Sequence, residues 1–404
     1  MKSKNTLIEQ RQESRKRAIF LTVRSQNGQL SRNDLCKITQ YSITSVSAII
    51  DEWIQEGVMS EMESTENRIG RPPVILAIKP DSIYFAGIEC SAWGVNFSII
   101  NALEEIIYHD SRILTRPKTQ DVIDEINNIL ARFITSNNDI WAKIPSLTIS
   151  MPGQLDEENG IGIFYANISD WRNVNVGEYF KTLDKQLFFI NNVDGMLLGY
   201  RAVNQFPRDT SVLFMLIRNG TGVRLYSKGV LLSSLGLICE FGHTRSHNSN
   251  RLCICGRRGC YDAEITNTAV QNKIQEALSA NKLTAISTMA GEGISAATVQ
   301  TLLDLVEIND PDACEIFDNV AVYIAELLEQ ISFLFRPGAI VVCADLCQQK
   351  QRLMKTIAEA FRHPGYIEQH TTPKIDYVLP RDEFTSLGSA ITGYNNYFKT
   401  SDVY

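Results

Sequence analysis

Apolar positions in the first eighty residues recur at helical spacing in three short stretches. The first stretch, residues 11–25, has an apolar side and a basic side, and Gly28 ends it. The second opens at Ser31, a residue type that caps helices, and has Asp34 in its first turn. Ser42 caps the third stretch, whose inward positions are Val46, Ile49, Ile50 and Trp53. This spacing predicts three helices.

Two short strand-like segments follow these helices. They are residues 58–61 and 74–78, and residues 67–73 between them carry two arginines in Asn-Arg-Ile-Gly-Arg-Pro-Pro. Three helices followed by a β-hairpin are typical of a winged helix-turn-helix, with residues 42–55 as the recognition helix. We therefore predict that residues 1–80 form a DNA-binding domain.

Small, uncharged side chains open the predicted recognition helix. Ser42, Thr44, Ser45 and Ser47 can lie close to base edges and phosphates, but they offer no bidentate reader of guanine. At the predicted wing tip, Arg68 and Arg71 suit a minor groove or a pair of phosphates. These six residues are the predicted DNA contacts. The alternative is a winged helix that contacts proteins, with its arginines solvated.

From residue 83 onward, strand-like and helix-like segments alternate. The predicted strands are residues 83–89, 95–101, 104–113, 146–150, 186–190 and 339–343. The predicted helices are residues 122–135, 194–203, 261–279, 296–307 and 312–335. Such alternation favours a doubly wound α/β plan, here repeated twice, and we assign residues 81–404 to one effector domain of two lobes.

The charge distribution supports this division. The net charge is −7, yet residues 1–80 carry 12 Lys and Arg against 9 Asp and Glu, whereas the remainder carries 27 against 37. A positive head on an acidic body is what a DNA-binding protein of this size would show. The chain starts without an apolar run and has no apolar stretch near twenty residues, so we expect a cytoplasmic protein without membrane contact.

One histidine and three clustered cysteines stand in the second half of the chain. His243 is followed by Cys253, Cys255 and Cys260, the last three in Cys-Ile-Cys-Gly-Arg-Arg-Gly-Cys. One imidazole and three thiolates complete a tetrahedral zinc site of the structural kind, and glycines suit the tight knuckle between them. The alternatives are a disulfide or unpaired buried thiols, which the clustering and the expected cytoplasmic location disfavour. We predict a structural Zn²⁺ held by residues 243–260.

Several motifs together resemble the ROK family (repressors, open reading frames and sugar kinases), in particular its repressor branch. They are the wing arginines, Met151-Pro152-Gly153, Asn167 followed by Trp171, Asn191-Asn192, Glu240-Phe241-Gly242-His243 and the cysteine cluster. The resemblance covers essentially the whole chain. It implies an actin-like ATPase fold, a sugar bound between two lobes, and a homodimer or homotetramer.

The same resemblance implies a set of sugar-binding residues: Asn167, Asn191, Glu240, His243 and Asp262. In the family the histidine touches sugar with one ring nitrogen and zinc with the other, because the metal fixes the orientation and tautomer of the ring. Asp262 stands where the family usually has Glu, which leaves the identity of the sugar open. An empty site whose polar groups only tie the lobes together is the alternative.

The residues that a sugar kinase of this family needs are replaced. Alignment on Leu198-Gly199 places Asn192 at the catalytic base position, and an amide cannot take a proton at neutral pH. The first phosphate loop is Glu89-Cys90-Ser91-Ala92-Trp93, without its glycines, and a later glycine run is Cys343-Ala344-Asp345. The second loop, residues 218–224, keeps only its two middle glycines. We therefore expect no enzyme activity and no bound ATP.

The leading hypothesis is a sugar-responsive transcriptional regulator, a repressor of a carbohydrate-use operon with operator DNA and a sugar as partners. A sugar would shift the body between two states, and in an oligomer that shift would change the spacing of two DNA-binding heads. The first alternative is a regulator controlled by a protein partner. The second is a weak sugar kinase with an added head.

Overall fold

The computed structural model describes residues 2–63, 74–204, 210–227, 230–235, 240–283, 298–360 and 373–398, with side chains at residue 12 and from residue 14 onward except at residues 234, 235 and 360. The chain divides into two compact units. The first contains residues 1–205 and 382–404, and the second contains residues 206–381. The second unit is therefore inserted, in sequence, between two parts of the first.

Three helices and a two-stranded sheet open the first unit. They are α1 (Lys2–Ser25), α2 (Arg32–Thr39), α3 (Ile43–Gln55), β1 (Met59–Glu63) and β2 (Val74–Ile78). The sequence places the start of the first helix at residue 11, nine residues too late. The two strands are antiparallel, with Met59 opposite Ile78.

The local sequence explains where the helices begin. Ser31 and Asp34 form a reciprocal capping box at the start of α2, and the Ser42 hydroxyl accepts from the Ser45 N–H at the start of α3. Val46, Ile49, Ile50 and Trp53 are all buried, as their spacing predicts. The predicted inward-facing positions of α3 are thus confirmed.

The remainder of the first unit is a five-stranded sheet with helices and a small three-stranded sheet. The strands are β3 (Tyr84–Cys90), β4 (Gly94–Asn101), β5 (Ile106–Ile113), β6 (Ser146–Met151), β7 (Gln154–Asp156), β8 (Ile161–Phe164), β9 (Arg172–Asn175) and β10 (Gln186–Asn191). The helices are α4 (Thr119–Ser136), α5 (Asn138–Ala142), α6 (Val176–Phe180) and α7 (Asn192–Asn204). The large sheet has the order β10-β6-β3-β4-β5, and the small sheet has the order β7-β8-β9.

The second unit repeats the strand plan of the first. Its strands are β11 (Val212–Ile217), β12 (Thr221–Ser227), β13 (Val230–Leu231), β14 (Ala339–Ala344) and β15 (Lys374–Val378). In each large sheet the first three strands in the chain pair antiparallel in order. The two later strands then extend the sheet on the other side of the first strand, and both pair parallel. This repetition agrees with the twofold plan that the sequence predicts.

Helices cover the sheet of the second unit. They are α8 (Asp262–Ile265), α9 (Asn267–Ser279), α10 (Val299–Glu307), α11 (Pro311–Phe335) and α12 (Lys350–Ala360). Their apolar sides and the central strands share one buried cluster. The sequence predicts β14 and the helices α10 and α11, and it predicts α8 and α9 as one helix over residues 261–279. The other elements of this unit, β11, β12, β13, β15 and α12, are absent from its pattern.

The chain ends its described part in α13 (Asp382–Phe398), which belongs to the first unit. This helix packs against α7 and against β3, β4 and β6. Its buried residues join a cluster that also contains the inward side chains of α1, α2 and α3. The division into domains 1–80 and 81–404 stays a prediction, since the head and the first lobe lie here in one compact unit.

No helix within the described ranges is long and apolar enough to cross a membrane.

Candidate metal centre and ligand-binding residues

A short hairpin in the second unit carries the three clustered cysteines. Cys253 N–H donates to the Arg257 carbonyl at 2.8 Å, and Gly256 N–H donates to the Cys253 carbonyl at 2.9 Å. Gly256 and Gly259 both have φ of +84°, a conformation that L side chains rarely adopt. These glycines therefore allow the chain to turn twice within a few residues and to bring the sulfurs to one side.

His243 and the cysteines form a cluster that could hold a metal ion. The ligand atoms of His243, Cys253, Cys255 and Cys260 all lie within 4.8 Å of one another. Cys255 Sγ is 3.6 Å from Cys260 Sγ, and Cys253 Sγ is 3.7 Å from His243 Nδ1. Neighbouring sulfurs around a tetrahedral zinc with bonds of about 2.3 Å would lie about 3.8 Å apart. The four donors thus have the composition of a closed tetrahedral site, and two of their pairs have its spacing.

The surroundings of Cys255 favour the thiolate form of its side chain. The backbone N–H of Arg257 donates to its sulfur and lowers the pKa of this exposed thiol to about 6. Burial has the opposite effect on Cys260, whose pKa it raises to about 12. A cation among the sulfurs would favour deprotonation of the buried thiols as well.

Buried charges that the sequence reasoning missed attach this hairpin to α9. Glu264 is 2% exposed and accepts from Ser249 Oγ at 2.5 Å and from Lys273 Nζ at 2.6 Å. On the surface, Arg251 forms two hydrogen bonds of 2.6 Å with Glu276. The only signal in the sequence was an acid and a base nine residues apart, which is too common a pattern to indicate a buried pair.

Two of the predicted sugar-binding residues meet beside the metal cluster. His243 Nδ1 lies 3.7 Å from Asp262 Oδ2, and burial raises the pKa of the Asp262 carboxyl. The approach depends on Gly242, because a Cβ there would lie 2.0 Å from Asp262 Oδ1. The third predicted residue of this unit, Glu240, is exposed and directly precedes the 3₁₀ turn that holds His243. The structure therefore brings His243 and Asp262 together.

In the first unit, Asn191 shapes the turn between β10 and α7. Its Nδ2 donates to the Gly153 carbonyl at 3.0 Å, and its Oδ1 accepts from Val193 N–H at 2.9 Å. Its own N–H donates to Glu157 at 3.1 Å. Asn167 is exposed after β8. Direct contact of either asparagine with a sugar stays a prediction, and at Asn191 most of the amide is already engaged in the turn.

The residues at the expected kinase positions are buried or half-buried. Asn192 is the first residue of α7 and is half-buried. Glu89, in the first loop, is buried and accepts a hydrogen bond of 2.7 Å from Asn96. Cys90, the last residue of β3, and Ser91 and Ala92 after it have buried side chains as well. Close approach of a phosphate to this backbone would require those side chains to move.

The predicted DNA contacts divide into described and undescribed residues. Ser42 and Thr44 are exposed at the start of α3, whereas Ser45 and Ser47 are half-buried. The Ser42 hydroxyl also serves as the cap of α3 and lies 3.0 Å from Ser45 Oγ. Arg68 and Arg71 lie outside the described residues.

Known proteins are similar to this chain over most of its length. The model of the ROK family matches residues 85–381. The DNA-binding transcriptional repressor Mlc of Escherichia coli is 22% identical over 370 residues, which is 90% of this chain and 89% of that protein. A glucokinase of Thermotoga maritima is 23% identical over 293 residues, which is 71% of this chain and 86% of that protein.

A solved structure has the same fold. It is described as a ROK family transcriptional regulator and homologue of the E. coli Mlc protein, and it aligns with a TM-score of 0.80 at 18% identity. The alignment covers 96% of this chain and 98% of that chain. The fold therefore extends over both units and over the N-terminal helices.

Proposed function

The chain belongs to the ROK family, and we propose that it is a sugar-responsive transcriptional regulator that represses genes for carbohydrate use. The observation that carries the proposal is that α1–α3 and β1–β2 precede the residues matched by the ROK family, among which the family resemblance aligns Asn192 with the base position. A head able to bind DNA and a body unable to activate a hydroxyl group together describe a sensor. Similarity to the repressor Mlc along 90% of the chain supports this.

In this proposal α1–α3 and β1–β2 form a winged helix-turn-helix. The start of α3 enters the major groove, where Thr44 and the neighbouring hydroxyl groups contact base edges and phosphates. Arg68 and Arg71 on the wing contact phosphates or the minor groove. The regulator acts as a homodimer or homotetramer, so that two heads engage two half-sites of an operator.

The body binds a sugar and does not phosphorylate it. His243 and Asp262 are neighbours, with Nδ1 3.7 Å from Oδ2. With Nδ1 turned to the metal, Nε2–H is left to donate to a sugar hydroxyl, and the buried carboxylate of Asp262 can accept from another. Asn192 and the side chains that follow Glu89 leave no base and no phosphate loop. A glucokinase is 23% identical to this chain, so the expected absence of ATP-dependent phosphorylation needs a measurement of its own.

The metal in the cluster is zinc with a structural role. Three thiolates and one imidazole fill a tetrahedral zinc shell, so no position remains for a reactive water. When bound, zinc would hold the hairpin closed and fix the ring of His243. The residues that hold it are His243, Cys253, Cys255 and Cys260.

The test is fluorescence anisotropy on DNA, at a stated salt concentration, with a panel of aldohexoses, aldopentoses, N-acetylhexosamines and disaccharides. The DNA comes from the promoter region of this chain's own gene, or from unbiased sequence selection where that region does not bind. We expect one sugar to change the dissociation constant of one specific DNA by about tenfold or more. If no DNA sequence is selected, the proposal that the chain is a DNA-binding regulator is contradicted. If DNA binds but no sugar changes the dissociation constant, the proposal that a sugar is the effector is contradicted.

Two variants with the same charge change locate the DNA surface. Thr44→Glu places a negative charge at the start of α3, whereas Gln55→Glu places it at the exposed end of the same helix. We expect the first to weaken binding by about tenfold or more and the second by about threefold at most. Equal effects would place the DNA elsewhere. Phosphorylation of hexoses with ATP, measured on the same preparation, tests the kinase alternative.

A further inference from the structure

Helix α13 is held on the first unit at backbone distance. A Cβ at Gly388 of α13 would lie 1.8 Å from the Gly195 carbonyl oxygen of α7. A Cβ at Gly199 of α7 would lie 1.9 Å from the Phe384 carbonyl oxygen, and one at Gly87 of β3 would lie 2.1 Å from that of Ser386. With main chains this close on two sides, α13 has almost no freedom to shift against the sheet.

The other end of α13 reaches the helices of the head. The ring of Phe398 stacks on that of Phe20 in α1, with centroids 4.0 Å apart and an interplanar angle of 16°. Phe20 in turn meets Trp53 of α3 edge to face at 5.6 Å. Two ring contacts therefore connect the C-terminal helix with the proposed recognition helix.

A charged residue of α1 also contacts α13. Arg24, near the end of α1, pairs with Glu104 at 2.5 Å and donates to the Tyr394 hydroxyl at 3.4 Å. Its guanidinium also lies 5.1 Å from the centroid of the Tyr394 ring. Tyr394 is fully buried in the cluster that contains the inward side chains of α1–α3. Tyr394 and Phe398, two of the aromatic residues of α13, thus both contact α1.

We propose that Tyr394 and Phe398 are positioning residues for DNA recognition. They hold α1–α3 at one place on the first unit and so set the distance between two α3 helices when two copies of the chain bind one operator. This inference rests on the proposed function, which leaves the placement of the head unassigned. A head without this attachment would reach half-sites at many separations, whereas a fixed head selects one separation.

The experiment measures preference for half-site spacing. The operator selected with the wild-type protein is compared with operators in which the two half-sites are one, two or five base pairs further apart, and with a single half-site. For the wild type we expect about a hundredfold weaker binding at wrong spacings. For Phe398→Ala we expect the preference to fall to about threefold, with unchanged affinity for the single half-site.

The other variants separate positioning from simple loss of stability. Asn396→Ala, on an exposed position of the same helix, should keep the wild-type preference. Phe398→Tyr keeps the aromatic ring and should therefore have the wild-type spacing preference. Phe398→Leu replaces the Ala variant if that variant does not fold, because it removes the stacked ring with a smaller loss of apolar volume. Metal content and thermal unfolding are measured for each variant to confirm an intact body.

Two outcomes would overturn the inference. One is Phe398→Ala and Phe398→Leu proteins that bind all operators more weakly but keep the spacing preference, because the ring would then contribute only stability. The other is a wild-type protein that binds its operator without any spacing preference. A wild type that binds no DNA would remove the proposed function itself, which the single half-site measurement distinguishes.

Discussion

Replacement of Glu264 by glutamine should weaken the attachment of the hairpin that carries Cys253, Cys255 and Cys260 to α9. Glu264 is the buried centre of that attachment, since it accepts from Ser249 of the hairpin and from Lys273 of α9. Glutamine has the same shape and can still accept from Ser249. It cannot balance the ammonium group of Lys273, which is only 8% exposed. The substitution therefore leaves a buried charge without its counter-ion.

The expected magnitude follows from the geometry of the pair. At 2.6 Å and an effective dielectric constant of about 20, the attraction is about 6 kcal/mol, much of which offsets the desolvation of both groups. Removal of one partner of a buried pair generally costs about 3–5 kcal/mol. Lys273 retains a hydrogen bond of 2.7 Å to Asn319, so we expect a loss somewhat smaller than this range, about 2–3 kcal/mol.

The assay is native-state hydrogen exchange on the amides of α9 and of the hairpin, because a chain of two units does not unfold in one step. Glu276→Gln is the matched control. It removes the partner of Arg251 from an exposed pair, whose side chains are 37% and 58% exposed, and should change the opening free energy by less than about 1 kcal/mol. Equal effects of the two substitutions would refute the reasoning.

The pH dependence of this loss has a definite sign. Burial lowers the pKa of Lys273 even beside Glu264, and removal of the carboxylate lowers it further. A base with a lowered pKa in the folded state destabilises that state at low pH, and the effect disappears as pH rises towards the unfolded value of about 10.4. The difference between Glu264→Gln and the wild type should therefore shrink as pH rises towards about 10.4. A constant difference would argue against a buried charge.

The remaining predictions concern the metal and the ligand residues. Cys255→Ser should leave the purified protein without its metal and lower its melting temperature, as measured by metal analysis and calorimetry; a full complement of metal would contradict this. Gly242→Ala should weaken sugar binding by about tenfold or more in titration calorimetry because its Cβ would displace Asp262. Gly220→Ala should not, because its Cβ would come no closer than 4.0 Å to its nearest neighbour, Asp262 Oδ2. Asn192→Asp should not produce hexose phosphorylation, and turnover with ATP would show that the phosphate loops still function.

The sequence was sufficient where chemistry is carried by neighbouring residues. The metal cluster was predictable because its cysteines stand within eight residues of one another and glycines permit the hairpin. The three head helices were predictable because their caps and apolar spacing are local. Membership of the ROK family, which the motifs indicated, is confirmed by the match over residues 85–381.

Helix α13 was not predictable from its pattern of apolar residues. It meets the sheet and α7 through small or polar residues such as Ser386, Gly388 and Ser389, all of which are buried. Burial of a hydroxyl or of a glycine leaves no periodic hydrophobic signal. The proximity of His243 and Asp262, in contrast, was expected from the family resemblance and is present within the second unit.

The return of α13 to the first unit has a consequence for protein synthesis. A chain on the ribosome that has reached residue 381 already contains α1–α3, but it still lacks the helix that completes their apolar cluster. On the proposed function, the surface for DNA would therefore be complete only after the inserted second unit has been translated. A polypeptide truncated before α13 would then compete poorly with the full chain for the proposed operator.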